Sequence, residues 1–347
     1  MSGHERISAS IDFVVPCYNE LEALPETHRQ LSTLMETLRR ADLASAQSRI
    51  YYVDDGSTDG TWELICGFAR GPGVVGLRLS RNFGHQSALL AGLFSASGDA
   101  AITIDADLQD DIGVIPQMIG NFRGGSEIVY GVRRERTTDT AFKRGTAQLF
   151  YGLLQRFGVR TIPNHADYRL MSRRAIAALA QFTEVNVFLR GIVPLLGFKS
   201  SLVYYDRKTR LAGSSKYNLA KMVNLSIDGV SSFSTAPLRF VAIMGFLVFL
   251  LSFAMAGWVA WIKLFTLRAV PGWASSVIPI YFLGGIQLLC LGVIGEYLGK
   301  SYAETKRRPR FLISETASSA GSDGPPATDG PQTTGTPPTT ATRPPIF

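Results

Sequence analysis

The stretch AAITIDADLQDD, from Ala100 to Asp111, decides the fold and gives the first indication of a function. Its first half is a short apolar run bounded by polar residues, which is typical of a buried β-strand. Asp105 and Asp107 follow at the carboxyl end of this run, and the side-chain period of a strand places both on the same side of the chain. Two carboxylates in this position can hold one divalent cation, Mg²⁺ or Mn²⁺, through oxygen ligands. Since an acidic pair often does no more than start a loop, the surrounding motifs must decide its role.

Strands and helices alternate before this stretch, which predicts an α/β fold with a mostly parallel sheet and helices on both faces. The earlier apolar runs are Ile11 to Val15, Arg49 to Val53 and Val74 to Leu79. The first, second and fourth strands end in polar turns, and in a parallel sheet these turns meet at one edge and form a pocket. This layout predicts a nucleotide site. The phosphate-binding patterns GxGxxG and GxxxxGK[ST] do not occur, which argues against a dinucleotide dehydrogenase or an ATPase.

Basic residues in loops after the acidic motif are predicted to hold phosphate groups, because arginine and lysine neutralise and hydrogen-bond phosphate oxygens. On this ground Arg133, Arg210 and Lys216 are candidate phosphate contacts. Arg190 either reaches the pocket or caps a helix end, and the sequence leaves both interpretations open. The histidines His85 and His165 are interpreted as structural.

Composition restricts the partners of this 347-residue chain. Its net charge of +7 suits nucleic acid, a membrane surface or anionic substrates, but the basic residues are not interleaved with aromatic ones, so we expect no nucleic-acid partner. The three cysteines fit no metal-binding spacing and are expected to be thiols in a reducing compartment. No signal peptide is expected at the N-terminus, so the first domain should remain in the cytoplasm.

Two apolar segments in the C-terminal third predict a transmembrane hairpin. The segments 240–262 and 273–295 each contain 23 residues without a charged side chain, enough to cross the hydrocarbon core at about 1.5 Å per residue. Tryptophan and tyrosine side chains cluster near the linker between them, as in an interfacial belt. Basic residues follow the second segment, and this bias predicts that the main domain and both termini lie on the cytoplasmic side of the plasma membrane.

These patterns predict four regions. The catalytic domain spans residues 1–215, and a juxtamembrane amphipathic helix spans 216–238. The hairpin spans 239–299, and a tail that is first basic and then disordered spans 300–347, with Ser314 to Phe347 unstructured. A cytoplasmic nucleotide-and-metal pocket beside a membrane hairpin suits transfer of a sugar from a nucleotide donor to a polyprenyl phosphate, because the leaving diphosphate needs charge neutralisation.

Several motifs resemble those of family 2 glycosyltransferases with the GT-A fold. VVPCYNE from Val14, VDDGSTDGT from Val53, RNFGHQSAL from Arg81 and DADLQD from Asp105 carry this resemblance. The later motifs resemble those of bactoprenol (undecaprenyl-phosphate) glucosyltransferases, a two-span branch related to dolichol-phosphate mannose synthases. They are DYRLMSR from Asp167, SSFSTAPLR from Ser231, FLGGIQ from Phe282 and GEYLGKSYAETKRRP from Gly295.

The resemblance implies roles for matching positions. Nucleotide-sugar contacts would come from Pro16, Tyr18, Glu20, Val53, Asp54, Asp55, Asp105, Ala106, Arg210 and Lys216. The metal ligands would be Asp105, Asp107 and Gln109, and the lipid phosphate would be held by Arg133, Lys143 and Arg144. Asp107, Arg133 and Asp167 would serve at the reaction centre, with Asp167 as a base or an orienting group; its alternative is an ion pair with Arg169 or Arg173.

The expected reaction is an inverting transfer of a hexose, with glucose from UDP-glucose favoured by the resemblance. Mannose from GDP-mannose, galactose, an N-acetylated sugar or an aminoarabinose derivative remains open, because no motif fixes the hexose. A non-catalytic membrane scaffold that binds nucleotide sugar is the second alternative, and a small channel is the third. The glycines of the second span predict a homo-oligomer, and the resemblance implies a downstream flippase for the lipid-linked sugar.

Overall fold

The computed structural model describes residues 8–134, 165–184, 188–206, 236–265 and 273–319. Its strands are β1 Ile11–Cys17, β2 Ile50–Asp54, β3 Val74–Leu79, β4 Ala100–Thr103, β5 Ile128–Arg133, β6 His165–Ser172, β7 Ser200–Tyr205 and β8 Ile313–Ser318. Its helices are α1 Leu24–Arg40, α2 Thr61–Phe68, α3 His85–Ser95, α4 Ile115–Arg123, α5 Arg173–Ala180, α6 Leu189–Leu195, α7 Ala236–Phe265 and α8 Trp273–Thr305, with a short 3₁₀ helix at Ile112–Val114.

The strands form one eight-stranded sheet in the order β7-β5-β6-β4-β1-β2-β3-β8. The central strands β4, β1, β2 and β3 are parallel to one another, and β5 is parallel to β7. Strand β6 runs antiparallel to β4 and β5, and β8 runs antiparallel to β3. The predicted α/β fold with a mostly parallel sheet is therefore confirmed. Its parallel core places the carboxyl ends of β1, β2 and β4 at one edge, where ligands of open α/β sheets bind.

Apolar side chains alternate between the two faces of the sheet. Phe13 and Val15 of β1 pack on the face covered by α1, α2 and α4, and Val14 between them packs on the face covered by α3, α5 and α6. Helix α3 approaches the sheet closely because of Gly92. A Cβ at this position would overlap the side chain of Val14 and lie 2.9 Å from Val53 Cγ2. Glycine at this position therefore allows α3 to pack close to β1 and β2.

Strand β8 corrects the prediction of a disordered tail from Ser314 onward. Residues of β8 pair antiparallel with β3, with Glu315 opposite Arg78 and Thr316 opposite Leu77. The prediction was wrong for this segment because its polar composition suggested disorder, whereas strand pairing is made by backbone groups and needs few apolar side chains on an exposed edge. The predicted tail thus contributes a strand to the sheet of the catalytic domain.

Helices α7 and α8 contain the two segments predicted to cross a membrane, and α8 continues past the predicted end at residue 295. Among the side chains that the structure describes on these helices, the apolar ones are largely exposed, for example Trp258 at 65% and Leu288 at 73%. Within the described ranges, one segment is long and apolar enough to be a membrane span: Phe282–Thr305, with a mean hydropathy of 1.5. A hairpin of two spans therefore stays a prediction. The amphipathic helix predicted for 216–238 lies almost entirely outside the described residues.

Candidate active site

A cavity of about 270 Å³ lies at the sheet edge where the polar turns after β1, β2 and β4 meet. This volume is just below the usual range for small-molecule pockets, roughly 300–1,000 Å³. Seven of the predicted contacts line it: Pro16, Tyr18, Glu20, Asp55, Asp105, Ala106 and Asp107. No ligand contact was predicted from the sequence for the others, which are Cys17, Asn82, Gly84, His85 and Ala88.

Three predicted contacts lie behind the cavity wall and not on it. The side chain of Val53 is fully buried against α3. The carboxylate of Asp54 is also buried, and its Oδ2 lies 3.6 Å from Arg78 Nε. Gln109 is 6% exposed, and its backbone N–H donates to Asp107 Oδ1 at 3.2 Å. These residues can support the cavity wall, but their side chains do not line the cavity.

Asp55 organises the loop that leads into α3. Its two carboxylate oxygens accept hydrogen bonds from the backbone N–H groups of Phe83 at 2.7 Å and Gly84 at 2.9 Å. Burial raises the pKa of Asp55, and these two hydrogen bonds oppose the increase. Gly84 has a φ of +93°, a conformation that side chains with a Cβ rarely adopt. The aspartate and the glycine together orient the first turn of α3 toward the cavity.

Acidic groups are concentrated around Asp105. Burial raises its pKa to about 6, and the nearby carboxylates of Asp110, Asp167 and Asp107 act in the same direction. Such an excess of carboxylate oxygens suits a divalent cation, because a cation removes their mutual repulsion. Across the described segments, however, no group of three or more His, Cys, Asp or Glu side chains is arranged to hold a metal ion. The fit to a cation therefore rests on the pair Asp105 and Asp107, both of which face the cavity.

Asp167 is the centre of a buried ion-pair cluster. Its Oδ1 lies 2.5 Å from Arg169 Nη2 and its Oδ2 lies 3.2 Å from Arg190 Nη2. Burial raises the pKa of Asp167, but the guanidinium groups of Arg169 and Arg190 outweigh it and lower the pKa to about 2. A carboxylate with so low a pKa is a weak proton acceptor near neutral pH. The predicted alternative of an ion pair with Arg169 is observed, and Arg190 reaches this cluster.

His85 lies between the two acidic groups. Its Nε2 is 3.6 Å from Asp105 Oδ1 and 3.8 Å from Asp167 Oδ2. Because His85 is the first residue of α3, the Asp55–Gly84 contact fixes its position. The sequence analysis interpreted this histidine as structural and predicted no ligand contact for it. The structure places it on the cavity wall.

Arg133 ends β5 and is held by two partners. Its Nη2 donates to Asp110 Oδ1 at 3.0 Å, and its Nε donates to the Tyr205 hydroxyl oxygen at 3.1 Å. Tyr205 in turn donates to Asp110 Oδ1 at 2.5 Å. Asp110 is itself 1% exposed, and its Oδ2 has no hydrogen-bond partner within the described part of the chain. This triad fixes the side chain of Arg133 at the end of the strand.

Comparison with known proteins assigns the family. The model of glycosyl transferase family 2 matches residues 12–179. A protein named as an uncharacterized glycosyltransferase, YkoT of Bacillus subtilis (strain 168), is 50% identical over 306 residues, 87% of this chain and 90% of that protein. This chain belongs to glycosyl transferase family 2. The enzyme is therefore a glycosyltransferase with the GT-A type of α/β fold.

Other relatives of this glycosyltransferase carry a more specific name. The prophage bactoprenol glucosyl transferase homolog of Escherichia coli (strain K12) is 41% identical over 305 residues, 87% of this chain and 98% of that protein. Among solved structures, glucosyl-3-phosphoglycerate synthase from Mycobacterium tuberculosis, crystallised with Mn²⁺, UDP and glucosyl-3-phosphoglycerate, has a TM-score of 0.40 and 18% identity. The match covers 64% of this chain and 78% of the synthase.

Four predicted phosphate contacts of the glycosyltransferase lie outside the described residues: Lys143, Arg144, Arg210 and Lys216. The residues that sequence reasoning missed share a physical cause. Asn82 and Asp110 lie in loops and His85 begins α3, and long-range contacts with Asp55, Tyr205 and Asp167 set their positions. The motif RNFGHQ was the available signal for the first two, since it directly follows a strand in a parallel sheet.

Proposed function

We propose that this glycosyltransferase transfers a hexose from a nucleotide sugar to a polyprenyl phosphate at the cytoplasmic face of the membrane. The observation that carries the proposal is the acidic cavity at the sheet edge in a chain that also contains the exposed apolar segment Phe282–Thr305. The names of the relatives at 40–41% identity favour glucose as the sugar and bactoprenol phosphate as the acceptor. UDP-glucose is then the favoured donor.

The proposed donor site uses the cavity wall. Tyr18 and Glu20 follow β1 and line the cavity together with Pro16 and Asp55. We assign the nucleoside to this wall, with Val53 and Asp54 supporting it from behind. Arg210 and Lys216 are proposed to hold the donor diphosphate, and Ala106 lets the chain pass close to the sugar between the two aspartates.

The proposed metal site consists of Asp105 and Asp107. The third predicted ligand, Gln109, lies behind the cavity wall, where its backbone N–H donates to Asp107 Oδ1, so we propose that it orients Asp107. Mg²⁺ or Mn²⁺ bound there would neutralise negative charge on the leaving diphosphate. The raised pKa of Asp105 and the exposure of both carboxylates to the cavity support this assignment. The protein's own contribution is to keep these two carboxylates close together at the end of β4.

The proposed chemistry is one in-line displacement. An oxygen of the acceptor phosphate forms a bond to the anomeric carbon, the bond from that carbon to the diphosphate oxygen breaks, and the nucleoside diphosphate leaves with inversion. The acceptor phosphate is already an anion near neutral pH, so it needs orientation and not deprotonation. The low pKa of Asp167 favours a role in orienting Arg169 and Arg190 over a role as a base.

Arg133, Lys143 and Arg144 are proposed to hold the lipid phosphate. The triad with Asp110 and Tyr205 supports this role for Arg133, because a guanidinium fixed in advance loses less entropy when it binds an anion. Helices α7 and α8 are proposed as two membrane spans with both termini in the cytoplasm. A lipid acceptor would then meet the cavity at the membrane surface. The predicted homo-oligomer and the flippase downstream remain predictions.

The experiment offers a panel of radiolabelled UDP- and GDP-sugars to the purified full-length protein in detergent. Each reaction contains undecaprenyl phosphate and Mg²⁺ or Mn²⁺, and label is counted in the organic phase. We expect label from UDP-glucose that disappears when a chelator is added or the lipid is left out. Label from another donor would change the assigned sugar but would still support the proposed reaction. Nucleotide binding without transfer from any donor would contradict the proposal and favour the scaffold.

A further inference from the structure

Arg78 on β3 connects the C-terminal strand β8 to the turn after β2. Its Nη1 lies 2.9 Å from Glu315 Oε1, and its Nε lies 3.6 Å from Asp54 Oδ2. The guanidinium also lies over the ring of Trp62, 5.7 Å from the ring centroid. The strand pairing places Glu315 directly opposite Arg78, so the contact follows from the register of the sheet.

The negative charge of Asp54 is compensated by this arginine. The carboxylate is fully buried, and in the described part of the chain its Oδ2 has no hydrogen-bond partner. Its Oδ1 accepts a hydrogen bond from the backbone N–H of Ser57 at 3.2 Å. Burial raises the pKa of Asp54, and the Ser57 hydrogen bond and the charge of Arg78 oppose the increase. Loss of Arg78 would leave a buried carboxylate without its cation, which is unfavourable.

The turn that Asp54 supports holds the cavity wall. Ser57 Oγ accepts a hydrogen bond from the backbone N–H of Asn19 at 2.9 Å, and the backbone N–H of Thr58 donates to Asn19 Oδ1 at 2.9 Å. Asn19 has a φ of +55°, and it lies between Tyr18 and Glu20, which both line the cavity. A contact on the outer strand of the sheet is therefore linked to the nucleoside wall by a continuous series of polar contacts.

The position of β8 is fixed independently of Glu315. Leu312 accepts a hydrogen bond at its carbonyl oxygen from the backbone N–H of Ser80 at 2.9 Å. Ser314 Oγ donates to the carbonyl oxygen of Arg78 at 3.1 Å. Arg310 donates to the carbonyl oxygen of Phe182. Because β8 remains anchored when the Glu315 carboxylate is removed, a substitution there tests the ion pair and not the strand.

We propose that Glu315 and Arg78 are positioning residues for the nucleotide sugar, acting through Asp54 and the Ser57–Asn19 contact on the wall formed by Tyr18 and Glu20. The proposal rests on the proposed function for the identity of the ligand. It also assigns a role to the C-terminal strand: a segment that follows the apolar helix α8 sets how well the cavity binds its donor. Donor affinity is the property affected, since neither residue touches the cavity.

The test compares variants of the full-length protein by calorimetric titration with UDP and by the KM and kcat for UDP-glucose. Exposed ion pairs are worth a factor of about 1.4 to 5 in an equilibrium constant. We therefore expect Glu315→Gln to weaken UDP binding and raise the donor KM by about that factor, with little change in kcat. Arg78→Met should weaken binding by roughly tenfold or more, because it removes the cation that faces buried Asp54.

Glu63→Gln is the matched control, because it removes the same charge from an exposed position on neighbouring α2. It should leave UDP affinity unchanged. The double variant Arg78→Met/Glu315→Gln should bind UDP as Arg78→Met does, since Glu315 acts through Arg78. Equal affinity of Glu315→Gln and the wild type, additive effects in the double variant, or a fall in kcat at constant KM would each overturn the inference.

The same titrations also test the proposed function separately from this inference. If the wild-type protein binds neither UDP nor GDP, the nucleotide-sugar function fails and this inference fails with it. If the wild-type protein binds UDP and Glu315→Gln binds it equally well, the inference alone fails. A melting temperature recorded for each variant separates loss of affinity from loss of folded protein.

Discussion

The sheet domain and the helix pair differ in which side chains they bury and which they expose. The sheet domain comprises the eight strands with α1 to α6, and it buries both its apolar residues and several charges, such as Asp167 and Arg169. The helix pair, α7 and α8, exposes apolar residues such as Trp258 and Leu288. A buried charge is stable only with partners, and an exposed apolar surface of this extent is stable only against another apolar surface. The difference indicates that one region is built to bind polar ligands and that the other is built for lipid or protein contact.

The largest expected effect concerns the buried charges of the sheet domain. Asp167→Asn should lower the free energy of unfolding by about 3–5 kcal/mol, because it leaves the buried guanidinium of Arg169 without its carboxylate. Urea denaturation in detergent measures this loss. Asp206→Asn, which breaks an exposed ion pair with Arg134, is the control and should cost about 0–1 kcal/mol.

The same substitution predicts a pH dependence. The pKa of Asp167 is lowered from an ordinary 3.8 to about 2 in the folded protein, so ionised Asp167 stabilises the fold above pH 3.8. This contribution is lost as the pH falls from 3.8 toward 2. The stability difference between wild type and Asp167→Asn should therefore stay constant at neutral pH and shrink in this acidic window. A difference that grows on acidification would refute the assigned ion pair.

A charge on the helix pair tests the other side of the comparison. Leu288→Arg places a guanidinium at a position on α8 that is 73% exposed, and a charge in the middle of a membrane span costs about 2.5–3.5 kcal/mol. We expect less of the variant in the membrane fraction. Leu202→Arg, at an exposed apolar position on β7, should leave that fraction unchanged. Equal recovery of both variants in membranes would contradict a lipid-facing α8.

The polar contacts around Arg133 should give a smaller effect. Tyr205→Phe removes the hydroxyl that bonds both Asp110 and Arg133, and a hydrogen bond to a charged group contributes about 1.5–3 kcal/mol. Thermal unfolding measures the stability, and the organic-phase assay should show a higher KM for the lipid acceptor. Tyr204→Phe is the matched control because the neighbouring tyrosine is half-exposed. If both phenylalanine variants keep the wild-type KM for the acceptor, Arg133 does not depend on Tyr205.

One substitution made in both regions gives the smallest expected effect. Gly92→Ala should destabilise the sheet domain by about 1–3 kcal/mol, because the new methyl group overlaps Val14. Gly292→Ala on α8 would meet no atom within 4 Å from outside its own helix turn, among the residues that the structure describes, and should be neutral or slightly stabilising. Calorimetric melting of both variants gives the comparison. A loss of stability at Gly292 would instead support the close helix contact predicted for a homo-oligomer.

The parallel core and most of the cavity wall could be predicted from the sequence because they depend on short, local sequence patterns. Each strand is a short apolar run, and the polar residues after β1, β2 and β4 meet wherever such strands lie parallel. Val53 and Gln109 show the limit of this reasoning, since adjacency to a motif does not decide whether a side chain faces the cavity or the core. Their directions depend on how α3 and the turn after β4 pack.

Long-range contacts account for what the sequence did not predict. The place of His85 on the cavity wall, near Asp105 and Asp167, depends on residues that are far from it in the chain. Strand β8 was missed because its pairing depends on the free edge of β3 and not on its own composition. In each case the position of a residue or strand is set by contacts between segments that are distant in the chain. A pattern within one segment cannot predict such contacts.

The most direct test of the central claim is the transfer of labelled glucose from UDP-glucose to undecaprenyl phosphate by Asp107→Asn. The carboxylate of Asp107 faces the cavity, and loss of one such electrostatic group typically reduces turnover by about 10²–10³-fold. Asp42→Asn, at an exposed position after α1, is the control for loss of a carboxylate. The account predicts at least a 100-fold loss of lipid-bound label for Asp107→Asn, roughly the lower bound of that range, and wild-type transfer for Asp42→Asn. Wild-type transfer by Asp107→Asn would contradict the assignment of this cavity as the active site.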